Sequence, residues 1–242
     1  MNRRYSVLGL ALAACVAADI TPTPSAQTAG VDVVAHVKVQ ESRAASERSR
    51  HSDEGVVLWL TPVENSPVKL SVPPLGHYQL VQKNKQFHPH LLVVPVGSIV
   101  DFPNRDPFFH NVFSLFNGRK FDLGLYESGT SRSVHFDRPG VSFIFCNIHP
   151  EMSAVVVSVP TPYFASSRPD GSFLIHRVEP GTYDMHLWAI GSGDSLSSAQ
   201  DHRVVVAEAS TDLGVFTVQT SPVGPHKNKF GDDYPLQHPD QY

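Results

Sequence analysis

The sequence predicts an all-β chain. Short runs of β-branched and aromatic residues alternate with polar ones at period two, Gly, Pro, Asn or Asp punctuates most of the gaps, and no stretch has helical period and length. Strands this short and evenly spaced belong to sandwiches or barrels. The chain has 242 residues, of which 41% are hydrophobic and 17% charged, so it can bury a core and has room for one large or two modest domains. A formal net charge of -4 leaves no broad cationic surface, which excludes a dedicated nucleic-acid binder.

Taken in order, Met1 to Arg4 is a short basic start and Tyr5 to Ala14 an apolar run followed by small residues, the layout of an export signal. That run is too short to span a bilayer, and no other reaches the length of a span. Leu12-Ala13-Ala14-Cys15 resembles a lipobox, in which Cys15 would carry a lipid anchor and residues 1–14 would be removed. Ordinary processing after Ala18 would instead remove 1–18. Either way the expected location is periplasmic, and Cys146, the other of the two cysteines, has no disulfide partner in the folded part. Residues 19–30 read as a linker.

Val31 to Val39 alternates as a half-buried strand. Glu41 to Glu54 reads as a loop or short exposed helix. Strand patterns return at Val56 to Leu60, Leu91 to Val94, Ser98 to Phe102, Asn111 to Phe116, Phe121 to Tyr126, Ser131 to Phe136, Val141 to Cys146 and Ala154 to Val159. Others follow at Ser172 to Val178, Tyr183 to Ile190, Arg203 to Ala207 and Gly214 to Val218. Residues 221–242, polar with prolines, read as a flexible tail.

The chemistry gathers around one cysteine. Cys146-Asn147-Ile148-His149-Pro150-Glu151-Met152 places a thiol, an imidazole and a thioether in one tight loop between two apolar strands. With 13 His and 3 Met in the chain, finding both at these offsets from a given cysteine by chance is on the order of one in a thousand. His110 lies upstream in Asp106-Pro107-Phe108-Phe109-His110-Asn111-Val112, at a loop-to-strand junction. Two imidazoles, a thiolate and a weak thioether are the ligands of a blue-copper electron-transfer site. Zinc prefers Cys, His and carboxylates, and iron–sulfur clusters need more cysteines than the chain has. Taken singly, each of these residues has a plainer reading as core filler or loop polar group. His88-Pro89-His90 lacks a third ligand and reads as surface loop; the remaining histidines carry no pattern.

From about Gln79 to Pro160 the chain resembles the cupredoxins, small Greek-key β-sandwiches with one type 1 copper ion. The His110-Asn111 pair and the Cys-x-x-His-x-x-Met loop carry the resemblance, with a spacing most like amicyanin. It implies His110, Cys146 and His149 as equatorial ligands and Met152 as the long axial one. It further implies that Asn111 ties the two ligand loops together and that His149 shows its outer edge to solvent. Phe108, Phe109, Ile148 and Pro150 would ring that edge as the docking surface.

Around this region, Asp170-Gly171-Ser172-Phe173 and Pro180-Gly181-Thr182-Tyr183 mark a hairpin. They look like the "DGxF…PGxY" pattern of the carboxypeptidase-regulatory or transthyretin-like, Ig-like β-sandwich. The expected organisation is a cupredoxin domain at 75–160, inserted in a second sandwich made of 31–66 and 161–220 or packed against it.

The function implied is a periplasmic blue-copper protein shuttling single electrons between redox proteins, with a c-type cytochrome or a quinoprotein dehydrogenase such as methylamine dehydrogenase as partner types. The alternative is a copper-handling protein without an electron-transfer role, which the scarcity of methionine disfavours. An enzyme is not expected. A multicopper oxidase needs repeated His-x-His pairs, and a thiol nucleophile has no use for the thioether.

Overall fold

Alternation of inward and outward side chains organises the chain into two stacked sandwiches. The computed structural model describes residues 30–41, 55–70, 76–209 and 211–234. The expected leader with Cys15, most of the linker, the polar stretch at 42–54 and the end of the tail lie outside the described residues. The strands are β1 (Val31–Glu41), β2 (Val56–Pro62), β3 (His77–Gln79), β4 (Val81–Lys83), β5 (Gln86–His88) and β6 (Leu91–Pro95). They continue with β7 (Ser98–Pro103), β8 (His110–Ser114), β9 (Phe121–Tyr126), β10 (Ser131–Phe136), β11 (Gly140–Cys146) and β12 (Ser153–Val159). The last are β13 (Phe164–Ser166), β14 (Ser172–Val178), β15 (Gly181–Ala189), β16 (Gln200–Val206) and β17 (Thr211–Thr220). A 3-10 turn at Leu196–Ser198 is the one helical element among the described residues. The all-β class is therefore as the sequence predicts. Strands β3, β4, β5 and β13, which the sequence does not predict, have three residues each, too few for alternation to register.

In the middle sandwich a sheet ordered β10-β7-β3 faces one ordered β6-β12-β11-β8-β9. Phe102, Phe136, Ile144 and Val156 fill the space between them, together with Cys146 and Met152. In the outer sandwich β14-β1-β17 faces β13-β2-β15-β16. Its core runs from Val33, Ala35 and Val37 through Leu58 and Leu60 to Phe173, Tyr183 and Leu187. The chain crosses this outer core, builds the middle sandwich, and returns; β1 pairs with β14 antiparallel and with β17 in parallel. The expected hairpin does not form: β14 pairs with β1, whereas β13 and β15 pair with β2 in the facing sheet, so the turns at Gly171 and Gly181 carry the chain from one sheet to the other. Gly171, with φ of +76°, closes a turn in which Arg168 and Ser172 bond through their main chains. Tyr183 donates its hydroxyl to the Glu179 carbonyl at 2.6 Å, a tyrosine corner that fixes the entry to β15.

The sandwiches share a third apolar layer. Along β12, Ala154 and Val156 point into the middle core, while Val155, Val157 and Val159 point outward onto Val57, Trp59 and Trp188 of β2 and β15. Those strands in turn send Leu58, Leu60 and Leu187 into the outer core. A strand buried on both faces needs an unbroken apolar run, and Ala154-Val155-Val156-Val157 is one.

Trp188→Ala removes the largest fully buried side chain of this layer. It should lower unfolding stability by about 3–5 kcal/mol, read as a drop in urea midpoint. Val215→Ala, at a position 60% exposed, should leave the midpoint where it is.

Candidate metal centre

The pairing of β8 with β11 brings the two halves of the site together. His110 opens β8 and Cys146 closes β11, and the ladder sets Cys146 opposite Val112 and Phe145 opposite Phe113. His149 and Met152 follow in the turn that leads into β12. That turn is closed by Met152 N–H to the His149 carbonyl at 3.1 Å and Cys146 N–H to the Met152 carbonyl at 3.2 Å.

His110 Nδ1 lies 3.1 Å from His149 Nδ1, and the Cys146 sulfur lies 3.7 Å from the first and 3.5 Å from the second. A triangle with those sides has a circumradius of about 2.0 Å, close to the reach of metal–imidazole and metal–thiolate bonds. Cys146, His110 and Met152 are fully buried and His149 is 3% exposed. The donor set fits a soft ion with a closed coordination shell, and among the described residues it is the one cluster of metal-ligand type.

The surroundings set the protonation of each donor. His110 Nε2 donates to Asp106 Oδ2 at 2.9 Å, so the tautomer leaves Nδ1 bare and aimed at Cys146. Asp106 itself accepts from the main-chain N–H groups of Asn84 (2.6 Å) and Lys85 (3.0 Å). Both lie in the β4–β5 turn with positive φ. Burial works to raise the Asp106 carboxyl, and these bonds outweigh it, holding it below the ordinary carboxylate value. Burial pushes the Cys146 thiol up, opposed by main-chain N–H groups of Asn111, Ile148 and His149 that point at the sulfur. Burial lowers the pKa of His110, against the pull of Asp106, and takes His149 down to about 4 with help from the His110 and Lys85 charges.

Several expected roles differ in detail. Asn111 does link the loops, through its main chain: its carbonyl accepts from Asn147 N–H at 3.0 Å and its N–H faces the thiol. Its side-chain amide instead donates to Asp122 on β9 at 2.7 Å. The His149 ring does not stand open to solvent as expected. Phe108 packs on both imidazoles, with centroids 5.3 Å from His110 and 5.6 Å from His149, and covers them. Of the expected rim, Phe109 is 50% and Ile148 38% exposed, while Phe108 and Pro150 are half-buried.

The sequence reading assigned no role to Asp106, though its place four residues before His110 was a usable signal. Asp122 and the tail carried none. His88 and His90 join no metal cluster among the described residues. His77, His176 and His186 pair instead with Asp101, Asp32 and Asp201.

No protein-family model matches the chain, and no curated protein matches it. Solved structures similar to part of it include cupredoxins and a copper-containing reductase. A purple cupredoxin from Nitrosopumilus maritimus is 24% identical with a TM-score of 0.31, over 34% of this chain and 99% of that one. A mutant amicyanin in its reduced form is 23% identical with a TM-score of 0.33, over 35% and 83%. The copper-containing nitrite reductase NirK from Thermus scotoductus SA-01 is 24% identical with a TM-score of 0.34, over 41% of this chain and only 25% of the reductase.

Both site imidazoles have lowered pKa values, so between about 4 and 6.5 the unfolded chain binds more protons than the folded one, and stability rises with pH across that window. The stabilisation is complete above pH 6.5 and lost on acidification. From His149 alone, metal-free protein should lose about 2 kcal/mol between pH 7.5 and pH 5. Urea midpoints at the two pH values check it; equal midpoints would mean that the imidazole is not held neutral.

Proposed function

We propose that the chain is an exported type 1 copper protein that passes single electrons between redox proteins. The observation that carries this is the buried triangle of His110 Nδ1, His149 Nδ1 and Cys146 Sγ, with Met152 buried in the same core. Thiolate and thioether select copper over zinc. When bound, copper supplies a one-electron couple.

The chain's own residues do the rest. Asp106 orients His110. The three main-chain N–H groups receive the thiolate that forms when Cys146 gives up its proton, so ion uptake should strengthen with pH. The rigid β8–β11 ladder holds the donors in one arrangement whatever the charge at their centre. Complete burial of the donors favours a resident ion over a cargo, which argues for a carrier rather than a copper-handling protein. A closed ligand set leaves no position for substrate, so an enzyme is not the favoured reading.

Phe109 and Ile148 supply exposed apolar surface beside the site, suited to a partner that must leave quickly. A c-type cytochrome and a quinoprotein dehydrogenase are the partner types in keeping with this reading. The periplasm is the proposed compartment. We also read the outer sandwich as a split transthyretin-like unit with a structural role, into which the copper domain is inserted.

Cu(II) added to the metal-free protein should give an intense visible charge-transfer band that disappears on reduction and in Cys146→Ser; a pale cupric spectrum in the wild type would defeat the proposal. Asp106→Ala, which frees the His110 ring and strips its N–H partner, should weaken copper binding by roughly 10–100-fold, measured by competition with a chelator.

A further inference from the structure

The described part of the tail past β17 does not hang free: residues 226–234 bond to β11, to the loop after it and to Asp122 on β9, the carboxylate that holds Asn111 of β8. Tyr234 donates its hydroxyl to the Cys146 carbonyl at 2.7 Å. The His226 ring stacks on Phe145, with centroids 4.1 Å apart. Its Nδ1 lies 3.1 Å from the Tyr234 oxygen, whose hydroxyl hydrogen is directed at the carbonyl, so that the oxygen accepts from Nδ1–H. Lys229 reaches the loop after β11 and strand β9. Its main-chain N–H donates to Asn147 Oδ1 at 2.9 Å, and its ammonium pairs at 2.7 Å with Asp122 Oδ2, on the carboxylate that also holds Asn111. One residue therefore joins the neighbour of Cys146 to the neighbour of His110.

The segment has its own shape. Asn228 Oδ1 accepts from the N–H groups of Phe230 and Asp232, and the Gly231 N–H bonds the Asn228 carbonyl. A hydrophobic explanation for its docking is weak. Val223 is 61% and Phe230 74% exposed, so apolar side chains of the tail face water while its polar bonds converge on the site.

We propose that Lys229 and Tyr234 are positioning residues of the metal centre, which clamp the Cys146 end of β11 against the His110 end of β8. Cys146 is the last residue of its strand, and its carbonyl accepts the Tyr234 hydroxyl hydrogen bond where the ladder to β8 ends. Fraying there would move the sulfur relative to His110 Nδ1, and the strap opposes it. The copper part of this inference rests on the function proposed above, whereas the clamp does not.

The test uses the full chain with Tyr234→Phe and Lys229→Met, and Val223→Ala as control. In metal-free protein, alkylation of Cys146 by iodoacetamide, followed on the mapped peptide, should speed up about fivefold to tenfold for each bond lost. The control should keep the wild-type rate. With Cu(II) bound, the charge-transfer band and the reduction potential should shift in both variants and not in the control. Unchanged alkylation in both variants overturns the clamp. Faster alkylation with an unmoved band and potential reduces the strap to a cover and overturns the positioning role. If the wild type shows no charge-transfer band, the copper reading fails by itself, and the alkylation rates alone decide the clamp.

Discussion

Two imidazole nitrogens and a thiol, shut away from water and within 3.7 Å of one another, set the terms for the rest of the structure. One thiol hydrogen cannot satisfy two imidazole nitrogens at once, and a buried polar atom left without a partner is unfavourable unless the frame forces it there. Here the frame is two strands of a five-stranded sheet and a turn tied by its own main-chain bonds. None of the three donors can relax toward solvent. The fold holds three donors in an arrangement that could receive a metal ion.

That burden is spread outward. Asp106 is buried because it serves His110, and its own charge is met by two amides of the β4–β5 turn. Asn111 gives its main chain to the thiol loop and its side chain to Asp122, which in turn takes Lys229. Each polar group near the centre is thus oriented by another farther out, and the last of them belong to the tail. Removing an outer member would loosen an inner one without touching the donors.

How much of this the sequence shows depends on the range of each interaction. The Cys146–Met152 loop is local, so its residue types and spacing disclose it directly. His110 was within reach because a histidine at a strand junction is conspicuous. Asp106 acts through the fold of one short loop and stands in plain view four residues away, yet carboxylates in loops are too common to attract notice. The covering of His149 depends on where Phe108 turns, and the docking of Tyr234 spans 88 positions in the chain; neither leaves a periodic trace. The long strands were legible from alternation, whereas the three-residue ones hold less than two full repeats and exist only because neighbours pair with them.

The apolar layer between the sandwiches bears on how such a chain can be rearranged. Val155, Val157 and Val159 lie on the outer face of β12, where a free-standing sandwich would meet water and carry hydrophilic residues. Cut loose from its neighbour, the middle sandwich would present a greasy stripe inviting self-association. The two sandwiches therefore depend on one another: neither could be replaced without recutting the apolar face they share.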